Sequence, residues 1–200
     1  SHTAGLDELP GRQTDGAAAA DMAAFLPTRL VRIRAPGRQT AYSTYGIMLA
    51  GVLLEDVTSR AYADQVRERI FRPAGMARAR LVAVRDDVRG VATPYLLDDG
   101  QARPSGHEFY VSQPASSMVA TAEDMGRFII AHLAHRRSGG PVLLSRQRMR
   151  LLHRQAATVH PALPGWSLGM QMDRVNGRRI AEHGGDIGGF SALFVLLPRE

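Results

Sequence analysis

The chain has 200 residues, 44% of them hydrophobic, which is enough to bury a real core and by length alone favours one domain. It contains neither cysteine nor lysine. Disulfides, thiolate nucleophiles, Cys-based zinc sites, amine bases, Schiff bases and a phosphate loop ending in Gly-Lys-Ser/Thr are therefore excluded. The net charge of +6 and the pI near 10.6 come from 25 arginines spread along the whole chain, and the densest patch, Arg146, Arg148 and Arg150, has no interleaved aromatics, so no nucleic-acid partner is expected.

No apolar run approaches the roughly 20 residues needed to span a bilayer. The first residues carry no charged-then-apolar leader pattern, and Ser1-His2-Thr3 reads like the middle of a domain. The composition suits a periplasmic, secreted or cytoplasmic protein equally.

Residues 7–24 are polar, Gly-containing and Ala-rich, and read as a partly helical surface excursion; Leu30-Val31-Arg32-Ile33 reads as a short strand and Pro36-Gly37 as a turn. From Thr44 to Thr58 the apolar residues cover most of a helical circumference, which predicts a helix buried on nearly all sides and capped by Ser43. Ala61 to Phe71 predicts an amphipathic helix with Tyr62, Val66 and Ile70 at spacings of four, ended by Pro73 and Gly75. A long irregular region follows.

Thr121-Ala122-Glu123-Asp124 is a capping box of the Asp type, opening a helix whose apolar stripe is Met125, Phe128, Ile129, His132 and Leu133. Ser145 caps a shorter helix that ends around Leu152. The tail then changes period. Strand-like runs from Trp166 to Arg174 and from Arg179 to Glu182 flank Asn176-Gly177, the strongest short hairpin signal, and Phe190 to Leu197 reads as a further strand.

Two stretches carry the chemistry. Tyr42-Ser43-Thr44 puts a phenol beside two small hydroxyls where an extended segment meets an apolar helix. His183-Gly184-Gly185-Asp186 puts an imidazole next to two residues without side chains, so a substrate could lie against the backbone there. The bland alternatives are a tyrosine that anchors a helix start and a glycine bend with a surface histidine. His107, His135, His153 and His160 show no metal-ligand spacing, and His132 belongs to a helical stripe, so no metal is expected. Ser191 misses the Gly-x-Ser-x-Gly elbow because Leu193 replaces its last glycine, and the glycines at 184, 185, 188 and 189 form no dinucleotide fingerprint.

Taken in order, several blocks resemble the serine β-lactamase and penicillin-binding-protein-like hydrolases, specifically the branch of class C β-lactamases, D-alanyl-D-alanine carboxypeptidases and esterases. His2-Thr3-Ala4-Gly5-Leu6 is similar to that family's His-Thr-Ser-Gly-Leu. Pro36-Gly37 through Tyr42-Ser43-Thr44-Tyr45-Gly46 is similar to its Pro-Gly and Tyr-Ser-Asn segment. Phe71-Arg72-Pro73-Ala74-Gly75-Met76 resembles Phe-x-Pro-Leu-Gly-Met, and Pro114-Ala115-Ser116-Ser117 a further block that is usually Gly-rich. His183-Gly184-Gly185 stands where relatives have Lys-Thr-Gly or His-Thr-Gly.

The resemblance implies an α/β (α+β) fold, an antiparallel sheet flanked by helices plus a helical subdomain, incomplete in this chain. Residues 1–200 would be a partial domain, about 1–160 mainly helix and loop and about 165–200 antiparallel strands. The family's nucleophile sits in Ser-x-x-Lys. A chain without lysine cannot contain that motif, and in the family it lies before the His-Thr-Ser-Gly-Leu block, upstream of Ser1 here.

By the same resemblance Tyr42 would carry the proton of an acyl transfer, and the N–H of Asp186 would be one oxyanion donor. Thr44, His183, Gly184 and Gly185 would line the substrate, a small-molecule ester, peptide or β-lactam; no cofactor is implied. Thr44 replaces an Asn that offers both donor and acceptor, and His183 replaces a Lys, which loosens the hold on a substrate amide and carboxylate. The competing reading is a non-catalytic binding or scaffold protein that kept the fold and lost the nucleophile.

Overall fold

The computed structural model describes residues 2–8, 12–13, 22–28, 30–82, 88–133 and 143–198. Residues 2–7 run antiparallel to 31–41. The N–H of Asp7 donates to the Val31 carbonyl at 2.9 Å, that of Ile33 to Gly5 at 2.9 Å, that of Gly37 to Thr3 at 2.8 Å and that of Ala41 to His2 at 2.9 Å. Gly5 permits this approach: its φ is +72°, and a Cβ there would stand 2.1 Å from the Arg34 carbonyl oxygen. The strand expected at Leu30 to Ile33 is reduced to a single bridge between Leu6 and Arg32, because the left-handed backbone at Gly5 cannot continue a ladder.

After β1 (Arg12–Gln13), α1 (Met22–Phe25) continues into a 3₁₀ turn at Leu26–Thr28. The expected excursion is partly helical at α1, where Ala23 and Ala24 are exposed as a surface segment requires, but Met22 turns inward and is buried with Leu26, Tyr45, Met48 and Val111. Ala17 to Ala20 lie outside the described residues.

Helix α2 (Thr44–Thr58) starts as expected, with the Ser43 hydroxyl accepting the Gly46 N–H at 3.1 Å. Tyr45, Met48 and Gly51 form its buried face, and a Cβ on Gly51 would come within 2.3 Å of Pro114. Burial on nearly all sides does not hold. Leu53 is 53% and Val57 82% exposed, because the α1 region and Pro114 pack on one face only, and apolar composition does not report which face is covered.

Helix α3 (Tyr62–Val66) passes through a π-type turn at Arg67–Phe71 into α4 (Arg72–Ala74), so Pro73 does not end the run. The wider turn accommodates the proline ring. Gly75 ends it, at φ +74°, with its N–H on the Arg72 carbonyl at 3.0 Å and the Met76 N–H on Phe71 at 2.8 Å.

The stretch expected to be irregular is instead built of short elements: β2 (Arg80–Leu81), β3 (Tyr95–Asp98), β4 (Gln101–Pro104), β5 (Phe109–Tyr110), α5 (Gln113–Ser116) and β6 (Met118–Val119). β3 and β4 form a hairpin over Asp99-Gly100, both at positive φ, while β5 pairs with β1 and β6 with β2.

Helix α6 (Ala122–Leu133) opens on the expected box: the Asp124 N–H donates to Thr121 Oγ1 at 3.1 Å and the Thr121 N–H to Asp124 Oδ2 at 3.1 Å. Met125 and Phe128 pack on Phe71, Ala74 and Met76, whereas Leu133 stays at the surface. Helix α7 (Arg146–Leu152) follows its Ser145 cap.

The tail forms one antiparallel sheet in the order β10-β9-β8-β7, with β7 (Gly165–Trp166), β8 (Gln171–Val175), β9 (Arg178–Ile187) and β10 (Phe190–Leu196). The run expected from Trp166 to Arg174 is interrupted by a tight turn in which the Ser167 hydroxyl accepts the Met170 N–H at 3.2 Å. Asn176-Gly177 turns the chain as expected, with φ of 51° and 76°. Met170, Met172, Ala181 and Leu196 face Ile129 of α6 and Leu152 of α7. The fold is thus mixed α/β, with antiparallel strands flanked by helices.

Candidate active site

The extended segment at residues 2–7, the start of α2, strand β7 and strand β9 deliver His2, Tyr42, Trp166 and His183 to one aromatic cluster. His2 stacks on Tyr42 with ring centroids 4.4 Å apart, and Trp166 meets His2 edge-on at 4.4 Å. Tyr42 lies 5.8 Å from Trp166 and 6.4 Å from His183, and Trp166 lies 6.0 Å from His183. The sheet register explains the last contact. Trp166 pairs with Gln171, which pairs with Glu182, so His183 is next along β9.

Tyr42 and His183, far apart in sequence, are therefore neighbours. Thr44 begins α2 beside them. Its N–H donates to Glu8 Oε2 and its hydroxyl to Glu8 Oε1, so the threonine is already engaged by a carboxylate. Burial and the charge of Glu8 raise the Tyr42 phenol above its usual value of 10.0, and the Thr44 hydroxyl works the other way. A protonated phenol is what the described residues support at neutral pH.

His2 is buried, and its Nδ1 accepts the Ser43 N–H at 3.1 Å, which places the proton of the neutral ring on Nε2. Burial above all, with neighbouring positive charge, lowers its pKa to about 4. In His183, Nδ1 lies 2.6 Å from the Gly184 carbonyl oxygen; a carbonyl only accepts, so Nδ1 donates and Nε2 is left open in the neutral ring.

Gly184 and Gly185 lie inside β9, so a bend between strands is not what they provide. Neither has a positive φ, a Cβ on Gly185 would meet nothing within 4 Å, and one on Gly184 would make only ordinary contacts. Packing and backbone conformation therefore do not demand glycine at either position. The turn at 188–189 makes Ile187 and Phe190 the closing pair of the β9-β10 hairpin. Counting back in twos turns the N–H groups of Asp186 and Gly184 away from β10. On that side β8 has already ended, since its first residue, Gln171, pairs with Glu182.

Sequence reasoning missed three members of this constellation as site residues. His2 lies within the block similar to His-Thr-Ser-Gly-Leu, but nothing beside it in the chain marks it as a partner of Tyr42. Trp166 is the single tryptophan of the chain, and that rarity is the one signal that could have found it. Nothing local marks Glu8. Away from the site, His132 Nδ1 and His153 Nε2 lie 3.1 Å apart in the interior between α6 and α7, a pairing that no spacing in the sequence announces. Among the described residues no helix is long and apolar enough to cross a membrane, and no group of three His, Asp or Glu is placed to hold a metal ion.

Comparison with known proteins gives a consistent answer. A family model described as Beta-lactamase matches residues 1–200. Human beta-lactamase-like 1 is 29% identical over 178 residues, covering 82% of this chain and 32% of its own. The octameric penicillin-binding protein homologue from Pyrococcus abyssi superposes with a TM-score of 0.80 at 18% identity, covering 99% of this chain and 48% of its own. A class C β-lactamase superposes with a TM-score of 0.74 at 14% identity, covering 98% and 59% respectively. The chain spans between about a third and three fifths of the length of these relatives. With the family model matched over all 200 residues, the chain belongs to the Beta-lactamase family.

Proposed function

We propose that this chain is the tyrosine-bearing, substrate-facing part of a serine hydrolase that opens ester, amide or β-lactam carbonyls through an acyl-enzyme, its nucleophile supplied from outside residues 1–200. The observation that carries this reading is the meeting of Tyr42 with the exposed backbone of β9 beside His183. In the first step a serine hydroxyl adds to the carbonyl carbon and loses its proton, and negative charge develops on the carbonyl oxygen. The outward N–H of Asp186 would receive that charge, and Gly184 and Gly185 would leave room for the substrate along the strand. Tyr42 relays the proton to the leaving group as the tetrahedral species collapses, and water then hydrolyses the ester to serine.

To accept a proton first, Tyr42 needs a positive charge that the described residues do not give it. A Ser-x-x-Lys contributed from elsewhere would bring one with the nucleophile. The chain alone is accordingly expected to be inactive.

The test is covalent trapping of the full-length protein with a fluorophosphonate or a fluorescent penicillin. The adduct is expected on a serine of Ser-x-x-Lys outside residues 1–200, and Tyr42→Phe is expected to slow acylation by about a hundredfold or more. A full-length protein that neither labels nor turns over p-nitrophenyl acetate is the non-catalytic scaffold instead.

A further inference from the structure

Next to the aromatic cluster lies an open cleft of about 410 Å³, bounded by Thr3, Arg38, Gln39, Thr40, Gln155 and Thr158. Its walls are the sequence neighbours of the site. Thr3 follows His2, the 37–40 loop leads into Tyr42, and Ala157 exchanges backbone hydrogen bonds with Trp166 at 2.7 and 3.0 Å. The loop is tied to the first segment by the Gly37 N–H on Thr3 and the Ala41 N–H on His2.

The charge of this cleft is one-sided. Among the described residues Arg38 is the only ionisable one lining it, is exposed, and has no carboxylate partner. By contrast, Arg60, Arg67, Arg103 and Arg127 are each paired with an Asp or Glu. The rest of the lining is rich in amide and hydroxyl side chains, and the Thr40 hydroxyl is buried without a hydrogen-bond partner. A guanidinium with no carboxylate beside it among the described residues, set among neutral polar groups, matches a planar anion, which it can hold by two parallel N–H bonds.

We infer that this cleft is a subsite for a carboxylate carried at the far end of the acyl group, with Arg38 as its anchor. The inference rests on the hydrolase reading for its substrate but not for its binding chemistry. A charge-assisted contact of this kind, made in the transition state, is worth on the order of tenfold in rate.

The experiment uses the full-length protein and two esters of equal chain length, p-nitrophenyl hydrogen adipate and p-nitrophenyl hexanoate, in wild type and in Arg38→Gln. The wild type is expected to favour the adipate in kcat/KM by about tenfold. In Arg38→Gln that preference collapses, the kcat/KM ratio of adipate to hexanoate falling towards one. Equal preference in both proteins, or none in wild type, overturns the inference. In parallel, free adipate is expected to raise the thermal midpoint of wild type but not of Arg38→Gln, and adipamide to raise neither. A protein that hydrolyses neither ester but shows the Arg38-dependent shift refutes the hydrolase reading and keeps the anion site. Absence of that shift counts against the site whatever the turnover.

Discussion

The imidazole of His2 lies stacked on the phenol of Tyr42, centroids 4.4 Å apart and planes 29° from parallel, while its Nδ1 holds the N–H of Ser43. One buried side chain therefore positions both the tyrosine and the residue that caps α2. Because burial and neighbouring positive charge disfavour the imidazolium, the folded-state pKa, about 4, lies below the ordinary value of 6.5.

The consequence is a stability that depends on pH in one direction. A group whose neutral form is favoured in the fold contributes fully above pH 6.5 and loses its contribution as the pH falls from there towards 4. Urea unfolding of wild type and His2→Phe at pH 7 and pH 5 checks this. The wild type is expected to lose up to about 2 kcal/mol more than the variant between those values, since phenylalanine can stack but cannot take up a proton. An equal loss in both proteins would show that His2 does not titrate against folding.

A second prediction concerns the backbone that brings His2 to Tyr42. At Gly5 the left-handed φ of +72° acts together with the close approach of the Arg34 oxygen, which would stand only 2.1 Å from a Cβ. Gly5→Ala is expected to destabilise the fold by roughly 2–4 kcal/mol, seen as a lower denaturant midpoint with little change in the slope. Gly185→Ala, where a Cβ meets nothing, is the control and is expected to cost less than about 1 kcal/mol.

What is legible in the sequence is what is encoded locally. The Thr121-Asp124 box, the Ser43 and Ser145 caps and the Asn176-Gly177 turn each depend on residues within a few positions of one another, and each is present. The Asp99-Gly100 hairpin carries an equally local signal, yet it lies in the stretch expected to be irregular. Burial is less legible. The apolar residues of α2 look alike in sequence, but Met48 is completely buried and Val57 is 82% exposed, because long-range packing chooses the face. For the site, Tyr42 and His183 are legible through their motifs, whereas Glu8, Trp166 and the His132-His153 contact arise only when distant segments meet.

Glu8 supports a prediction about the phenol itself. Its carboxylate raises the pKa of Tyr42 through space, so Glu8→Gln should lower that pKa. Alkaline titration of the protein with ¹³Cζ-labelled tyrosine, with Tyr42 assigned from Tyr42→Phe, reads the shift directly. A Tyr42 titration that stays in place or moves upward would show that the carboxylate does not act on the ring.

The last prediction is the substrate class of the full-length protein. In β-lactamase relatives an Asn and a Lys hold the substrate amide and carboxylate, whereas this chain offers Thr44 and His183. The Thr44 hydroxyl already donates to Glu8, which leaves less of it for a substrate. Tyr42 and the outward N–H of Asp186 would serve any acyl group, so what is weakened is the grip on the amide and the adjacent carboxylate rather than the acyl-transfer chemistry. A lost charge-assisted bond to the carboxylate is worth roughly 1.5–3 kcal/mol, or about one to two powers of ten in kcat/KM when it is made in the transition state, and a lost neutral bond to the amide about 0.5–1.5 kcal/mol. Short-chain esters are therefore expected to be turned over better than penicillins or cephalosporins. Thr44→Asn should narrow the gap, and more so together with Glu8→Gln, since the new amide would then be free to face the substrate. Measuring kcat/KM for p-nitrophenyl acetate and a chromogenic cephalosporin in all three proteins decides the matter, and a wild type that prefers the cephalosporin would refute this assignment of substrate class.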